Sequence, residues 1–159
     1  ETRTRIITGH RFRAEDLSLL SAVLDDIKKN KKTPGNNNSP AYEILKKILQ
    51  DNKLEIKIAI PRSSSTAGFF AENVGIFRDS EGNAVAFRGS SNEMFSSGNF
   101  ESIDVFTSWN EKPRVERKIQ DFEDLWNDRT AKLKVHDFGD AQRSKLLKYD
   151  FQELVNRAL

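Results

Sequence analysis

Two short runs of β-forming residues, Val74-Gly75-Ile76-Phe77 and Ala84-Val85-Ala86-Phe87, stand on either side of Asp79-Ser80-Glu81-Gly82-Asn83. Branched and aromatic residues flanking a turn rich in Asp, Gly and Asn predict an antiparallel hairpin. A lone hairpin is marginal in water, so this one needs more strands and a layer to pack on. The flanking sequence supplies both. Leu54, Ile56, Ile58 and Ile60 alternate with Glu55, Lys57 and Ala59 at strand period. Arg5-Ile6-Ile7-Thr8-Gly9, Ile103-Asp104-Val105-Phe106 and Leu133-Lys134-Val135 read as further short strands.

Helical spacing appears between the strands. Leu17, Leu20, Leu24 and Ile27 predict a helix from Glu15 to about Lys28, with Glu15 and Asp16 suited to its first turn. Ser39 is placed to cap a second helix with Pro40 in its first position, and Ala41, Ile44, Leu45, Ile48 and Leu49 form its expected apolar face. Val115, Ile119, Phe122 and Trp126 mark a stripe on a third, from about Lys112 to Asn127. The polar stretch Lys28 to Asn38 is expected to be a loop, and Pro61 to Gly68 a Ser-rich turn. Helices flanking a central run of strands predict an α/β sandwich with a central mixed sheet. The expected organisation is one domain over 1–137, followed by a helical tail or linker over 138–159.

The chain has 159 residues, enough for one sizeable core, and eleven Phe and two Trp to anchor it. It has no cysteine, which excludes disulfides, thiolate metal sites and cysteine nucleophiles, and favours an intracellular, cytoplasmic home. With only His10 and His136, a histidine-rich metal site is not expected, and no cofactor is called for. Net charge is +2, with 26 basic against 24 acidic residues; this permits nucleic acid as a partner without demanding it. No apolar run is long enough to cross a bilayer. Because the chain opens on Glu1 and not Met, the natural amino terminus is expected to be missing.

The chemistry is expected around the open end of the hairpin. Gly89-Ser90-Ser91-Asn92 follows the second strand run, and Phe100-Glu101-Ser102 opens the next. A Gly-Ser pair at a strand end offers backbone N–H groups and a hydroxyl to a phosphate oxygen. Asn92 adds an amide donor, and Glu101 is suited to orient an imidazole.

The whole pattern is more specific than any of its parts. VGIFRDSEGNAVAFRGSSNE, then NFESIDVFTSW, a charged helix ending FEDLW, and AKLKVHDF together resemble the phospholipase D-like nuclease domain fused to superfamily 2 helicases in restriction and phage-defence proteins. The resemblance is dense from about Ile44 to Tyr149 and weaker from Arg3 to Asp26. It implies an α/β/α sandwich holding a single copy of the motif, truncated at its amino end. In that family the hairpin is preceded by His-x-Lys and followed by Gly-Ser-x-Asn. The His attacks phosphorus, Lys and Asn bind the non-bridging oxygens, and a second His protonates the leaving oxygen without metal. That second His comes from another copy of the motif, so a homodimer paired through the motif face is implied.

Here the pattern breaks. Aligned through Val74 to Phe77, the His position holds Ala71 and the Lys position holds Asn73, while Glu72 between them agrees with the family. Without a nucleophile most of the rate enhancement is lost, so the chain is expected not to cleave phosphodiesters. Natural divergence and deliberate inactivation both remain open. Asn92 and Glu101 are the surviving catalytic positions. Gly89, Ser90 and Asn92, with Arg62, Arg78 and Arg88 flanking the hairpin, are the expected phosphate contacts. The implied partners are DNA, a second copy and a helicase. The alternative from another class is a non-enzymatic domain that dimerises or recruits a helicase.

Blander readings stand beside these. His10 and His136 read as ordinary surface or strand-end histidines, and Trp109 and Trp126 as core or helix-packing residues. Lys28, Lys29, Lys31 and Lys32 read as a solvated basic loop. Glu55-Ile56-Lys57 matches a fragment of metal-dependent nucleases, yet Asp51 sits too close in sequence to be the strand-borne carboxylate such a site needs.

Overall fold

The structure is a computed structural model that describes residues 2–29, 39–62, 70–89 and 103–149. In chain order the elements are β1 (Thr4–Thr8), β2 (Arg11–Phe12), α1 (Ala14–Lys28), α2 (Pro40–Gln50), β3 (Leu54–Pro61), β4 (Val74–Arg78), β5 (Ala84–Gly89), β6 (Ile103–Thr107), α3 (Lys112–Trp126), β7 (Leu133–Asp137), α4 (Phe138–Arg143) and β8 (Lys148–Tyr149). This is a mixed α/β chain. It forms two compact units, Glu1–Phe70 with Lys134–Leu159, and Ala71–Leu133. Residues from Lys134 onward group with the amino-terminal unit.

In the first unit β1 runs parallel to β3, from Thr4 opposite Leu54 to Thr8 opposite Ile58, and β7 lies on the other side of β3. The alternation of β3 sends Ile56, Ile58 and Ile60 into the core, where Leu17, Leu20 and Leu24 of α1 meet them at helical spacing. Phe138 and Ala141 of α4 complete that core, and Phe12 meets Phe138 edge-on with ring centroids 5.8 Å apart. Short β8 pairs with β2, Arg11 opposite Lys148. Phe138, Ala141 and β8 thus pack and pair within the unit. Six residues of helix and two of strand are too few to show a period in the sequence, which is why they read as polar extension.

The second helix begins where expected: the Tyr42 amide donates to Ser39 Oγ at 3.3 Å, with Pro40 in the first position. Its face differs. Ala41 and Ile44 are exposed, Leu45, Ile48 and Leu49 half-buried, and the buried residues are Tyr42 and Lys46. The reason is a polar contact. Tyr42 donates its hydroxyl to Asp26 Oδ2 on α1 at 2.5 Å, and the Lys46 stem folds down with its ammonium 5.9 Å from the Tyr42 ring. That bond to Asp26, aided by burial, pushes the Tyr42 phenol up to about 12 from 10.0. A phenol held neutral in the folded state stabilises fully below the unfolded value, and the gain is lost as pH rises through about 12. The chain has two tyrosines, so a Tyr149→Phe variant isolates the signal. Its tyrosinate absorbance is expected to rise well above pH 10, and adding Asp26→Asn should bring it back. An ordinary titration in the parent variant would remove the contact from the account.

The second unit is the predicted hairpin extended by one strand. β4 pairs antiparallel with β5, Val74 opposite Arg88 and Arg78 opposite Ala84, and β5 with β6, Ala86 opposite Phe106 and Gly89 opposite Ile103. The turn is held by Asp79, whose Oδ1 accepts from the amides of Glu81 and Asn83 at 2.9 and 2.8 Å, and whose Oδ2 accepts from the Asn83 side chain at 2.8 Å. These bonds, the Asn83 side chain first, hold the Asp79 carboxyl below its usual range. Gly82 takes φ +90°, a conformation that disfavours any side chain. Helix α3 covers one sheet face, seating Val115 and Ile119 on Ala84, Ala86, Phe106 and Ile76. Fully burying a residue such as Val115 contributes about 1.5–3 kcal/mol. On the other face Phe87 lies over Gly75 and stacks on Phe77 at 5.8 Å between centroids, while Phe77, Val105 and Ile103 stay exposed.

Where one central mixed sheet was expected, pairing among the described residues gives β1-β3-β7, β2-β8 and β4-β5-β6 separately. Apolar alternation marks a strand but says nothing about which strand it pairs with.

Candidate phosphate site

Ala71, Glu72 and Asn73 lead straight into β4, and Gly89 ends its partner β5. The Gly89 amide donates to the Asn73 carbonyl at 3.0 Å, one step beyond the last ladder pair of the hairpin. A Cβ on Gly89 would stand 3.9 Å from the Asn73 Cβ. Residues 71–73 therefore run up to the strand end at Gly89, with Asn73 beside it. Ala71 and Glu72 are exposed and Asn73 is half-buried. Ser90, Asn92 and Glu101 lie outside the described residues.

Of the three arginines expected to contact phosphate, Arg78 and Arg88 stand on the hairpin itself. Arg78 ends β4 at the turn, four residues from Val74 and so about 13 Å away along the strand. Arg88 is close to Gly89, exposed, and directly opposite Asp104 on β6. Arg62 follows β3 in the first unit and is exposed.

Other residues singled out by sequence are also revised. Trp126 is buried and stacks on Phe122 at 5.8 Å between centroids, but Trp109 is 62% exposed and belongs to no core. His136 lies half-buried on β7, as a strand histidine should. His10 is not a surface histidine: it is 7% exposed, and its Nδ1 has no hydrogen-bond partner. Burial, with Lys148 and then Arg11 nearby, holds its imidazole below the ordinary value, so the ring is neutral near pH 7. Lys28 and Lys29 are exposed, as a solvated basic segment requires; Lys31 and Lys32 lie outside the described residues.

Around Glu55-Ile56-Lys57 the charges pair across strands. Glu55 bonds Arg3 of β1's approach, and Lys57 Nζ lies 3.8 Å from Asp137 at the end of β7. Glu55, Lys57 and Asp137 line a cavity of about 270 Å³ together with apolar residues, Leu20, Leu24 and Leu49 among them. Asp51 instead pairs with Lys53 at 3.9 Å. Asp137 lies eighty residues beyond Lys57, and only sheet pairing brings it near. Among the described residues no group of three or more histidines and carboxylates is placed to hold a metal ion.

No family model matches the chain, nor does any curated protein or solved structure. Among the described residues no helix is long and apolar enough to cross a membrane.

Proposed function

We propose that this chain is a phospholipase D-like nuclease module of a DNA restriction or defence assembly, disabled as written, that docks DNA phosphates at the open end of the β4–β5 hairpin. The observation that supports this reading is the 3.0 Å bond from the Gly89 amide to the Asn73 carbonyl. Phosphoryl chemistry of this kind needs a nucleophile and a cation beside the Gly-Ser-x-Asn donors, and residues 71–73 run up to the first of them, with Asn73 beside it. Alanine at 71 supplies only a methyl group, and asparagine at 73 hydrogen-bonds an anion without neutralising it. Binding without cleavage follows. The implied fold is the α/β/α sandwich of that family, and the implied partners are a second copy and a helicase.

Restoring both groups tests this directly. Ala71→His with Asn73→Lys is expected to give weak nicking of plasmid DNA in EDTA. A folded, dimeric double variant that leaves plasmid intact would remove the nuclease reading.

One observation favours the second reading, a non-enzymatic dimerisation or helicase-recruiting domain. Phe77, Val105 and Ile103 are exposed on the sheet face away from α3, and contiguous apolar surface of this kind commonly marks protein contact. Binding measured over a salt series separates the two: phosphate contact weakens steeply with salt, and a scaffold does not bind DNA at low salt.

A further inference from the structure

Two faces of the chain are apolar and open to solvent, and neither has a part in the phosphate site. The first is the sheet face of the second unit, on the side away from α3. The register sets Phe77 opposite Val85 and Phe87 opposite Val105, and Ile103 follows Val105 in the alternation, so all five share that side. None is charged; Phe77 is 68% exposed, and Val105 and Ile103 are exposed beside it. An antiparallel sheet with one face on a core commonly turns polar residues outward on the other, and this one does not. The second face belongs to α2. Ala41, Ile44 and Ile48 fall on one stripe of that helix. The helix seats Tyr42 and Lys46 instead, which leaves Ala41 exposed, Ile44 63% exposed and Ile48 half-buried.

We propose that these two faces bind each other between copies, α2 of one chain lying across the β4–β5–β6 face of a second. The inference rests on the dimerisation reading and deepens it, because it names both contact surfaces. Their dimensions match. From Ala41 to Ile48 the ridge is about 10 Å long at about 1.5 Å per residue. Three strands about 4.8 Å apart span about the same distance. A helix laid on a sheet is also a layer arrangement that covers an apolar sheet face. Charge matches as well. The unit bearing α2 holds 18 basic and 12 acidic residues, a net +6, and the unit bearing the sheet holds 8 and 12, a net −4. Ion pairs inside a unit leave those totals unchanged, so unlike units attract and like units repel. Helix on sheet joins +6 to −4, whereas sheet on sheet would join −4 to −4. Because the faces lie on different units, the contact is head-to-tail, and every copy offers one face of each kind.

Sedimentation over a concentration series tests the contact. The native chain should gain mass as concentration rises, and the association should weaken as salt screens the attraction. Ile44→Glu and Phe77→Lys each place a charge on one exposed face. Both variants should keep the native melting temperature, while their dissociation constants rise at least about tenfold. Val105→Lys repeats the Phe77→Lys result from a neighbouring strand. Mixing decides which faces meet. Ile44→Glu keeps an intact sheet face and Phe77→Lys an intact helix ridge, so an equimolar mixture should form pairs where neither variant associates alone. Loss in only one of the two variants, native mass in both, or no recovery in the mixture overturns the helix-on-sheet contact while self-association stands. A native chain that stays monomeric throughout the series overturns both this contact and the dimerisation reading.

Discussion

Phe138→Ala is expected to destabilise the first unit by about 3–5 kcal/mol, the cost of emptying a large aromatic from a packed core. Phe138 is 3% exposed and packs with Leu17, Ile58 and Ala141. Its ring is also the edge-on partner of Phe12, the inward residue of β2. Truncation therefore removes contacts to α1, β2 and β3 at once. A single domain is usually stable by only about 5–15 kcal/mol, so the loss takes a large share of the whole. Both tryptophans lie in the second unit, so their fluorescence does not report this unit directly. Amide hydrogen exchange in β1 and β3 does, and protection there should fall by about two to three and a half orders of magnitude, since about 1.4 kcal/mol is a factor of ten. Exchange unchanged to within a factor of about two would mean that residues 138–149 are an appendage after all.

That prediction runs against the sequence reading, and the reason shows what such a reading can see. Strands β3, β4 and β5 were legible because each is long enough for alternation to repeat, and α1 because three leucines fall on one stripe. Strands β2 and β8, with two residues each, carry no period, and α4 carries less than two turns. The face of α2 was misread for another reason. Tyr42 and Lys46 count as polar in a hydropathy pattern, yet most of their bulk is carbon, and one hydroxyl bond to Asp26 suffices to bury them in place of Ile44. At the candidate site, the nearness of Asn73 to Gly89 was legible, since hairpin register follows from the turn. The buried state of His10 and the pairing of Lys57 with Asp137 were not, because both depend on strands brought together from distant parts of the chain.

Gly9 offers the second large effect, and space is what makes it matter. A Cβ on Gly9 would stand 2.5 Å from the Phe70 carbonyl oxygen and 3.5 Å from its carbon. The obstacle is main chain, which cannot turn aside as a side-chain tip does. Gly9→Ala is therefore expected to cost about 2–3 kcal/mol, the range for forcing extra volume into packed structure. Two other glycines give the comparison its meaning. Gly82 has open space about it and φ +90°, so Gly82→Ala pays only for conformation, about 1 kcal/mol. Gly139 lies inside α4 with only the ends of Lys28 and Arg143 near it, and Gly139→Ala should gain about 0.5–1 kcal/mol from helix propensity. Chemical denaturation of the three variants should therefore rank Gly9→Ala lowest and Gly139→Ala highest. The steric argument fails if Gly9→Ala is as stable as Gly82→Ala.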